Sequence, residues 1–249
     1  MNVLAALGLL AALAAPERAG AGFAPGEETV FDVSYLHVRT GEGRIVIGKP
    51  EGDVWPVVFQ ARTAGLGGLV DVREHLVSYW DAAALCSRGS DLRAYEVGDL
   101  HVDSTRFDRL NGSATITVER KGKKKVKTVA VPGDVHELTS AFLWLRLQPL
   151  EPGERHELPV LPGSKPTTLV VEVVGRERVD TPAGSFPAVK LRFHTEIEGK
   201  FSTQRPMWMW LSDDPRHVLV RASADFAIGS MVLVLKRYTP GGAATADAR

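Results

Sequence analysis

The feature that most constrains this chain is a long succession of short segments that alternate apolar with polar residues and are broken by turns rather than by helices. Alternation with period two puts successive side chains on opposite faces of a strand. Thr29-Val30-Phe31-Asp32-Val33-Ser34-Tyr35-Leu36 alternates in this way, and Arg44-Ile45-Val46-Ile47-Gly48 follows the Gly41-Glu42-Gly43 turn. Val54 to Ala64 carries Trp55, Val57, Phe59 and Ala61 on one face, and His75 to Trp80 reads as a further strand. His101 to Arg109 and Ser113 to Glu119 flank Leu110-Asn111-Gly112. Asn-Gly between alternating segments is the strongest short hairpin signal, because both residues accept positive φ. Lys125 to Val131 adds a third strand to that meander.

One stretch departs from the pattern. Asp134-Val135-His136-Glu137 has the spacing of a capping box, with Asp134 as the cap and Glu137 three residues on. Leu138, Ala141, Phe142 and Leu145 then fall at helical spacing, and Pro149 closes the stretch, so a helix ending near Arg146 is expected against one face of a sheet. Strand patterns resume with Arg155 to Leu161, Thr167 to Val179, Val189 to Glu198, Gln204 to Leu211, Val218 to Ala224 and Ser230 to Tyr238. The absence of strand–helix–strand alternation argues against a parallel sheet. The fold class expected is mainly β: antiparallel sheets forming an open barrel or sandwich of about a dozen strands with one main helix.

The N-terminus gives an address. Val3 to Ala15 is an almost unbroken apolar run of 13 residues, stopped by Pro16 and followed by the small residues Ala19-Gly20-Ala21. That is the layout of a cleaved secretory signal. The run is shorter than the ~20 residues a membrane-spanning helix needs, so no transmembrane anchor is expected in the mature form. Residues 1–21 are therefore read as signal peptide and 22–240 as a single β-rich domain, with 133–150 the place where a subdomain boundary would fall. Residues 241–249 read as a disordered tail of small, polar residues. The mature protein is expected in the periplasm or secreted. Thirty basic residues balance thirty acidic ones, which gives no global field for nucleic acid. Cys86 is the single cysteine and has no intrachain partner, so it reads as a small buried hydrophobe.

No motif for catalysis, metal or cofactor rises above background. Asp213-Asp214-Pro215-Arg216-His217 is the best acidic cluster with a histidine nearby. Paired carboxylates bind Ca²⁺ or do acid–base work, yet the same residues make a plain turn. Glu74-His75 and His136-Glu137 are isolated His–carboxylate neighbours without zinc-site spacing. Gly65-Leu66-Gly67-Gly68 lacks the Lys-Ser/Thr ending of a phosphate loop and reads as a turn or bulge. Met207-Trp208-Met209-Trp210 is apolar on both faces, so this strand is expected to be buried on both sides or to line an apolar cavity.

Four segments resemble one family. They are Gly26-Glu27 leading into Val30-Phe31-Asp32-Val33-Ser34-Tyr35, then Leu138 to Arg146, then Thr181-Pro182-Ala183-Gly184-Ser185-Phe186-Pro187-Ala188-Val189-Lys190, then Trp210-Leu211-Ser212-Asp213-Asp214 with Gly229 to Tyr238. They are similar to the exported bacterial family catalogued as domain of unknown function 3108. The resemblance covers most of the mature chain. It implies a β-rich envelope protein and supplies no activity and no catalytic residues.

The expected function is non-catalytic binding of a lipid or another hydrophobic or anionic envelope ligand. An open sheet curved around one helix would form an apolar groove, with Trp55, Phe59, Trp80, Phe142, Trp144, Trp208 and Trp210 as candidate lining. The basic run Arg120, Lys121, Lys123, Lys124, Lys125 and Lys127 lies at the turn between two strands and is the candidate contact for anionic lipid or envelope glycan. The same charges would also keep a sheet edge soluble. The alternatives are an assembly or interaction factor for another envelope protein and, last, an envelope-polymer hydrolase.

Overall fold

The computed structural model describes residues 22–63, 72–96, 98–197, 200–201, 207–225 and 229–242. The signal-like segment, the Gly65-Leu66-Gly67-Gly68 run and residues 243–249 lie outside the described residues. The first half of the chain is a meander: β1 (Glu28–Tyr35), β2 (Val38–Ile47), β3 (Val54–Thr63), β4 (Val72–Asp81), β5 (Cys86–Glu96), β6 (Asp99–Asp108), β7 (Ser113–Arg120) and β8 (Lys123–Ala130). The helix α1 (Leu138–Leu145) follows. The second half holds β9 (Arg155–Val160), β10 (Thr167–Thr181), β11 (Gly184–Ile197), the short β12 (Lys200–Phe201), β13 (Met207–Ser212), β14 (Leu219–Asp225) and β15 (Ser230–Thr239).

All fifteen strands belong to one sheet, ordered β8-β7-β6-β5-β4-β3-β2-β1-β15-β14-β13-β11-β10-β9, with β12 paired to β11. The two meanders join where β1 meets β15, with Phe31 opposite Leu235. The sheet edges, β8 and β9, are consecutive in the chain but not hydrogen-bonded to each other. The segment before α1 covers the β9 edge instead. His136 N–H donates to Pro159 O at 2.9 Å, and Leu161 N–H donates to His136 O at 2.9 Å. Ala114, Ile116, Val131, Val135 and Leu161 fill the seam with apolar contact. The result is an open barrel whose gap is closed by side chains rather than by a ladder.

Helix α1 is the plug. Leu143, Leu145 and Ala141 are 0%, 1% and 2% exposed. Leu143 packs with Phe23, Ile47, Val57 and Trp80 from the first meander. Ala141 and Leu145 pack with Val171, Leu191 and Leu211 from the second. Burying a leucine contributes about 1.5–3 kcal/mol, so an eight-residue helix too short to stand alone in water is held by the barrel around it.

The cap differs from the sequence expectation. Glu137, not Asp134, is the N-cap, and its carboxylate accepts from Thr139 N–H at 2.7 Å and Ser140 N–H at 2.6 Å. The Ser78 hydroxyl donates to the same carboxylate, so the cap also ties α1 to β4. Strand β5 is absent from the sequence expectation because Cys86-Ser87-Arg88-Gly89-Ser90-Asp91 has little β-propensity. It forms because its neighbours demand it. Gly89, at φ 139°, passes so close to the β6 backbone that a Cβ would collide with Thr105 O.

Antiparallel pairing throughout sends the β1–β2, β3–β4, β5–β6, β7–β8, β9–β10 and β14–β15 turns to one end of the barrel. Helix α1 runs toward the other end, where Arg146 caps it. The first is the open end of the barrel and the second the closed end.

Candidate functional site

The closed end is sealed by a buried ion pair. The Arg146 guanidinium is 3% exposed; Nη1 donates to Glu27 Oε1 at 2.6 Å, and Nη2 donates to Glu27 Oε2 at 3.1 Å, Gly22 O at 2.7 Å and Arg216 O at 2.8 Å. It also lies 5.2 Å from the Phe23 ring centre. His217 Nδ1–H donates to Arg146 O at 3.0 Å. This end therefore clamps the residues that follow the signal-like segment onto the helix.

The open end holds an apolar cavity of about 240 Å³ between α1 and strands β10, β11, β13, β14 and β15. Register places its walls. Met209 lies opposite Leu191 on β11 and Ala222 on β14, and Met207 lies opposite Phe193 and Ala224. Leu233 and Met231 on β15 continue the wall past Ala222 and Ala224. Phe142 and Leu138 of α1 form the floor and one lip. The space exists because β14 turns two alanines inward where its neighbours turn large side chains. At the mouth, Leu138, Met207 and Met231 remain 48%, 38% and 37% exposed. Three of the chain's four methionines line this one cavity. Methionine is flexible and polarizable, and walls made of it adapt to apolar occupants of different shape.

Of the seven aromatic candidates, Phe142 and Trp208 reach the cavity. Trp208 touches its rim from the outer face, where Lys190 Nζ sits 5.1 Å above its ring. Trp210 also faces outward; it is 6% exposed beneath Lys190 and Arg221, and its indole N–H donates to Glu177. The tetrad of residues 207–210 is thus apolar on both faces for two reasons: methionines inward to the cavity, tryptophans outward under cations. Trp55, Trp80 and Trp144 pack around Phe23, Ile47 and Leu143 toward the closed end. Phe59 is half-buried on β3, opposite Leu76. The signal that marks the cavity was the pairing of Met207 and Met209 with the small residues Ala222-Ser223-Ala224; large aromatics mark mainly the packed core.

The basic run sits where the sequence places it. Lys121 and Gly122, at φ 50° and 71°, form the tight β7–β8 turn at the open end. Lys123, Lys124, Lys125 and Lys127 follow on the edge strand β8, all exposed. Arg120 lies 4.0 Å from Asp103, and Lys127 Nζ donates to Ser164 O across the seam at 3.4 Å. Among the described residues no carboxylate lies within ion-pair distance of Lys121, Lys123, Lys124 or Lys125.

The acidic cluster is occupied by structure. Asp213 pairs with Arg176 at 3.0 Å and Asp214 with Arg216 at 2.6 Å, while Asp214 Oδ1 accepts from Arg216 N–H to form the turn. His136, 3% exposed, is stacked on Trp80, and its Nδ1 lies 3.1 Å from the Ser140 hydroxyl. Burial pushes its pKa down to about 4 against the raising influence of Asp134, so it is neutral at physiological pH. Burial likewise pushes the Cys86 thiol up, which keeps it out of the reactive thiolate form. Among the described residues, no three His, Cys, Asp or Glu side chains are placed to hold a metal ion.

Residues 30–236 match the family described as Protein of unknown function (DUF3108). The chain belongs to this family. This DUF3108 member matches no curated protein. It is similar in fold to a β-barrel-like protein of DUF1849 from Brucella abortus, at 10% identity and a TM-score of 0.60, over 88% of this chain and 98% of that one. A DUF1089 family protein from Pseudomonas aeruginosa aligns at 12% identity with a TM-score of 0.36, over 88% and 95% of the two chains. A protein of YmcC-like fold from Bacteroides fragilis aligns at 14% identity with a TM-score of 0.35, over 88% and 99%. The Brucella likeness establishes a shared barrel-like architecture.

Proposed function

We propose that this DUF3108 protein is an exported, non-catalytic binding protein that holds an apolar chain, such as part of a lipid acyl tail, in the open-end cavity. The observation that carries this reading is a cavity walled by methionine and alanine whose apolar mouth faces solvent. An apolar cavity of ~150 Å³ is enough to take up benzene, and drug-sized ligands need ~300–1,000 Å³. A volume of about 240 Å³ suits a stretch of acyl chain with the rest of the ligand outside the mouth. The apolar run and small residues at the N-terminus support export. The employment of Asp213 and Asp214 in ion pairs and the burial of His136 support a binding rather than a catalytic role.

Each methylene buried contributes roughly 0.8 kcal/mol. Half a dozen would give about 5 kcal/mol, comparable with the ~4 kcal/mol or more that association costs. The cavity alone therefore binds weakly, and a second contact outside the mouth sets the affinity. The test is titration with a fluorescent fatty-acid analogue. Saturable uptake by the wild type, lost in Ala222→Phe where a ring replaces the missing wall, is the expected result. A wild type that takes up no probe, or an Ala222→Phe variant that takes it up equally well, contradicts the reading.

A further inference from the structure

We infer that the open end docks on a bilayer surface containing anionic lipids, with the β7–β8 lysine hairpin holding the phosphates and the cavity mouth turned to the lipid; the inference rests on the binding reading above. Three observations converge. The first is where exposed apolar side chains lie. Ten large ones are exposed among the described residues, and apart from Leu110 and Val174 they lie toward the open end. Leu36 lies in the β1–β2 turn and Val38 follows it, Leu100 and Val102 follow the β5–β6 turn, and Leu138, Met207 and Met231 form the cavity mouth. Apolar residues concentrated at one end mark a contact surface.

The second observation is unpaired charge. Several cations elsewhere on the outer face pair with carboxylates, Arg44 with Glu28 at 2.9 Å, Lys236 with Glu42 at 2.8 Å and Arg106 with Asp91 at 2.7 Å. Exposed cations without such a pair among the described residues, such as Lys49, Arg93 and Lys165, are scattered along the chain rather than clustered. The hairpin lysines have no such partner, though they lie on a protein whose net charge is zero. A surface of lipid phosphates supplies what is missing. The third is the mixture of the two. Lys124 faces Glu119, whose other neighbour is the exposed Val102, and the exposed Val126 follows two residues along the same face. Lysines interleaved with apolar side chains suit the headgroup boundary, where the aliphatic stems lie along the apolar layer and the ammonium groups reach phosphate.

Blocking of the free β8 edge also calls for charge. It does not call for unpaired cations on both faces of the strand, nor for exposed leucine and methionine at the same end. Nor does the barrel wall itself suit a membrane-spanning role, since its outer face carries the ion pairs named above.

The test uses the purified protein with vesicles of phosphatidylcholine alone or mixed with phosphatidylglycerol, read by co-sedimentation. Docking predicts capture by the mixed vesicles at low salt, weakening as ionic strength rises. Replacing Lys123, Lys124 and Lys125 together with glutamate should weaken capture on the order of a hundredfold, while fatty-acid probe uptake in solution is unchanged. Ala222→Phe should lose probe uptake and still be captured. Failure of the wild type to bind mixed vesicles, or capture that ignores the lysine substitutions, overturns the docking inference and leaves the cavity reading standing. Loss of probe uptake in the wild type would instead remove the cavity reading. Retention on immobilised dextran sulfate with no vesicle capture would assign the hairpin to acidic polysaccharide and also overturn the inference.

Discussion

Arg146 at the closed end and Met231 at the open end share one barrel and face opposite physical problems. Arg146 is 3% exposed and uses its guanidinium on a carboxylate and two backbone carbonyls. Met231 is 37% exposed at the mouth of an apolar space. One end solves the closure of a barrel by directed hydrogen bonds that fix a single geometry. The other leaves apolar surface unfilled where Ala222 and Ala224 line the wall, at a cost in stability that a larger side chain at either position would reduce. The difference teaches that the open end is not an unfinished copy of the closed one, because the same fold closes when its sequence supplies the side chains.

The largest effect is expected from breaking the closed end. Arg146→Ala strands the Glu27 carboxylate in a buried site, which should cost about 3–5 kcal/mol in urea denaturation. The double variant Arg146→Met with Glu27→Leu should recover much of that loss. A cost below ~1 kcal/mol for the single substitution would mean that the ion pair does not hold this end.

The next effect is pH dependence at the α1 N-terminus. The His136 pKa is pushed down to about 4 by burial, below its unfolded value of ~6.5. Between those pH values the unfolded chain binds a proton that the folded chain refuses. Stability should therefore fall as pH drops through that window, by on the order of 3 kcal/mol in total, and level off below it. Asp134 opposes the shift, and the neighbouring Glu137 carboxyl is pushed the other way by burial. The comparison that isolates His136 is the difference between wild type and His136→Phe across this range. Equal pH slopes for the two proteins would remove the histidine from the account.

Smaller stability effects are expected at the open end. Ala222→Phe should change stability by less than ~1.5 kcal/mol, since it fills space rather than forcing a packed core apart. It should act on ligand uptake instead. Smallest of all, Lys123→Glu with Lys124→Glu and Lys125→Glu should stay within ~0.5 kcal/mol of wild type, measured by urea denaturation. A large loss there would make the lysines part of the fold and not of a docking surface.

Much of this fold was legible in the sequence. Period-two alternation located most strands, the single helix appeared at Leu138 to Arg146 as its spacing required, and the order of four weakly specific segments matched the family. Strand β5 was not legible, because Ser87, Gly89 and Ser90 are dictated by the closeness of β6 and by the barrel interior rather than by local preference. The cap was misplaced by three residues because Asp134 and Glu137 both fit the pattern, and the choice depends on Ser78, a partner 59 residues away. The cavity was half legible. Met207 and Met209 stood out, but the alanines that create the space sit on a different strand, and only register brings Ala222 opposite Met209. Aromatic bulk was a poor guide, since Trp80 and Trp210 are used for packing at 1% and 6% exposure.

The most direct test of the central claim is native mass spectrometry of the protein purified gently from its own cell, beside its Ala222→Phe variant. A one-to-one adduct of a lipid-sized apolar molecule is expected on the wild type and none on the variant. A wild type that is empty and stays empty after exposure to long-chain fatty acid, or an adduct that persists in Ala222→Phe, would contradict that claim.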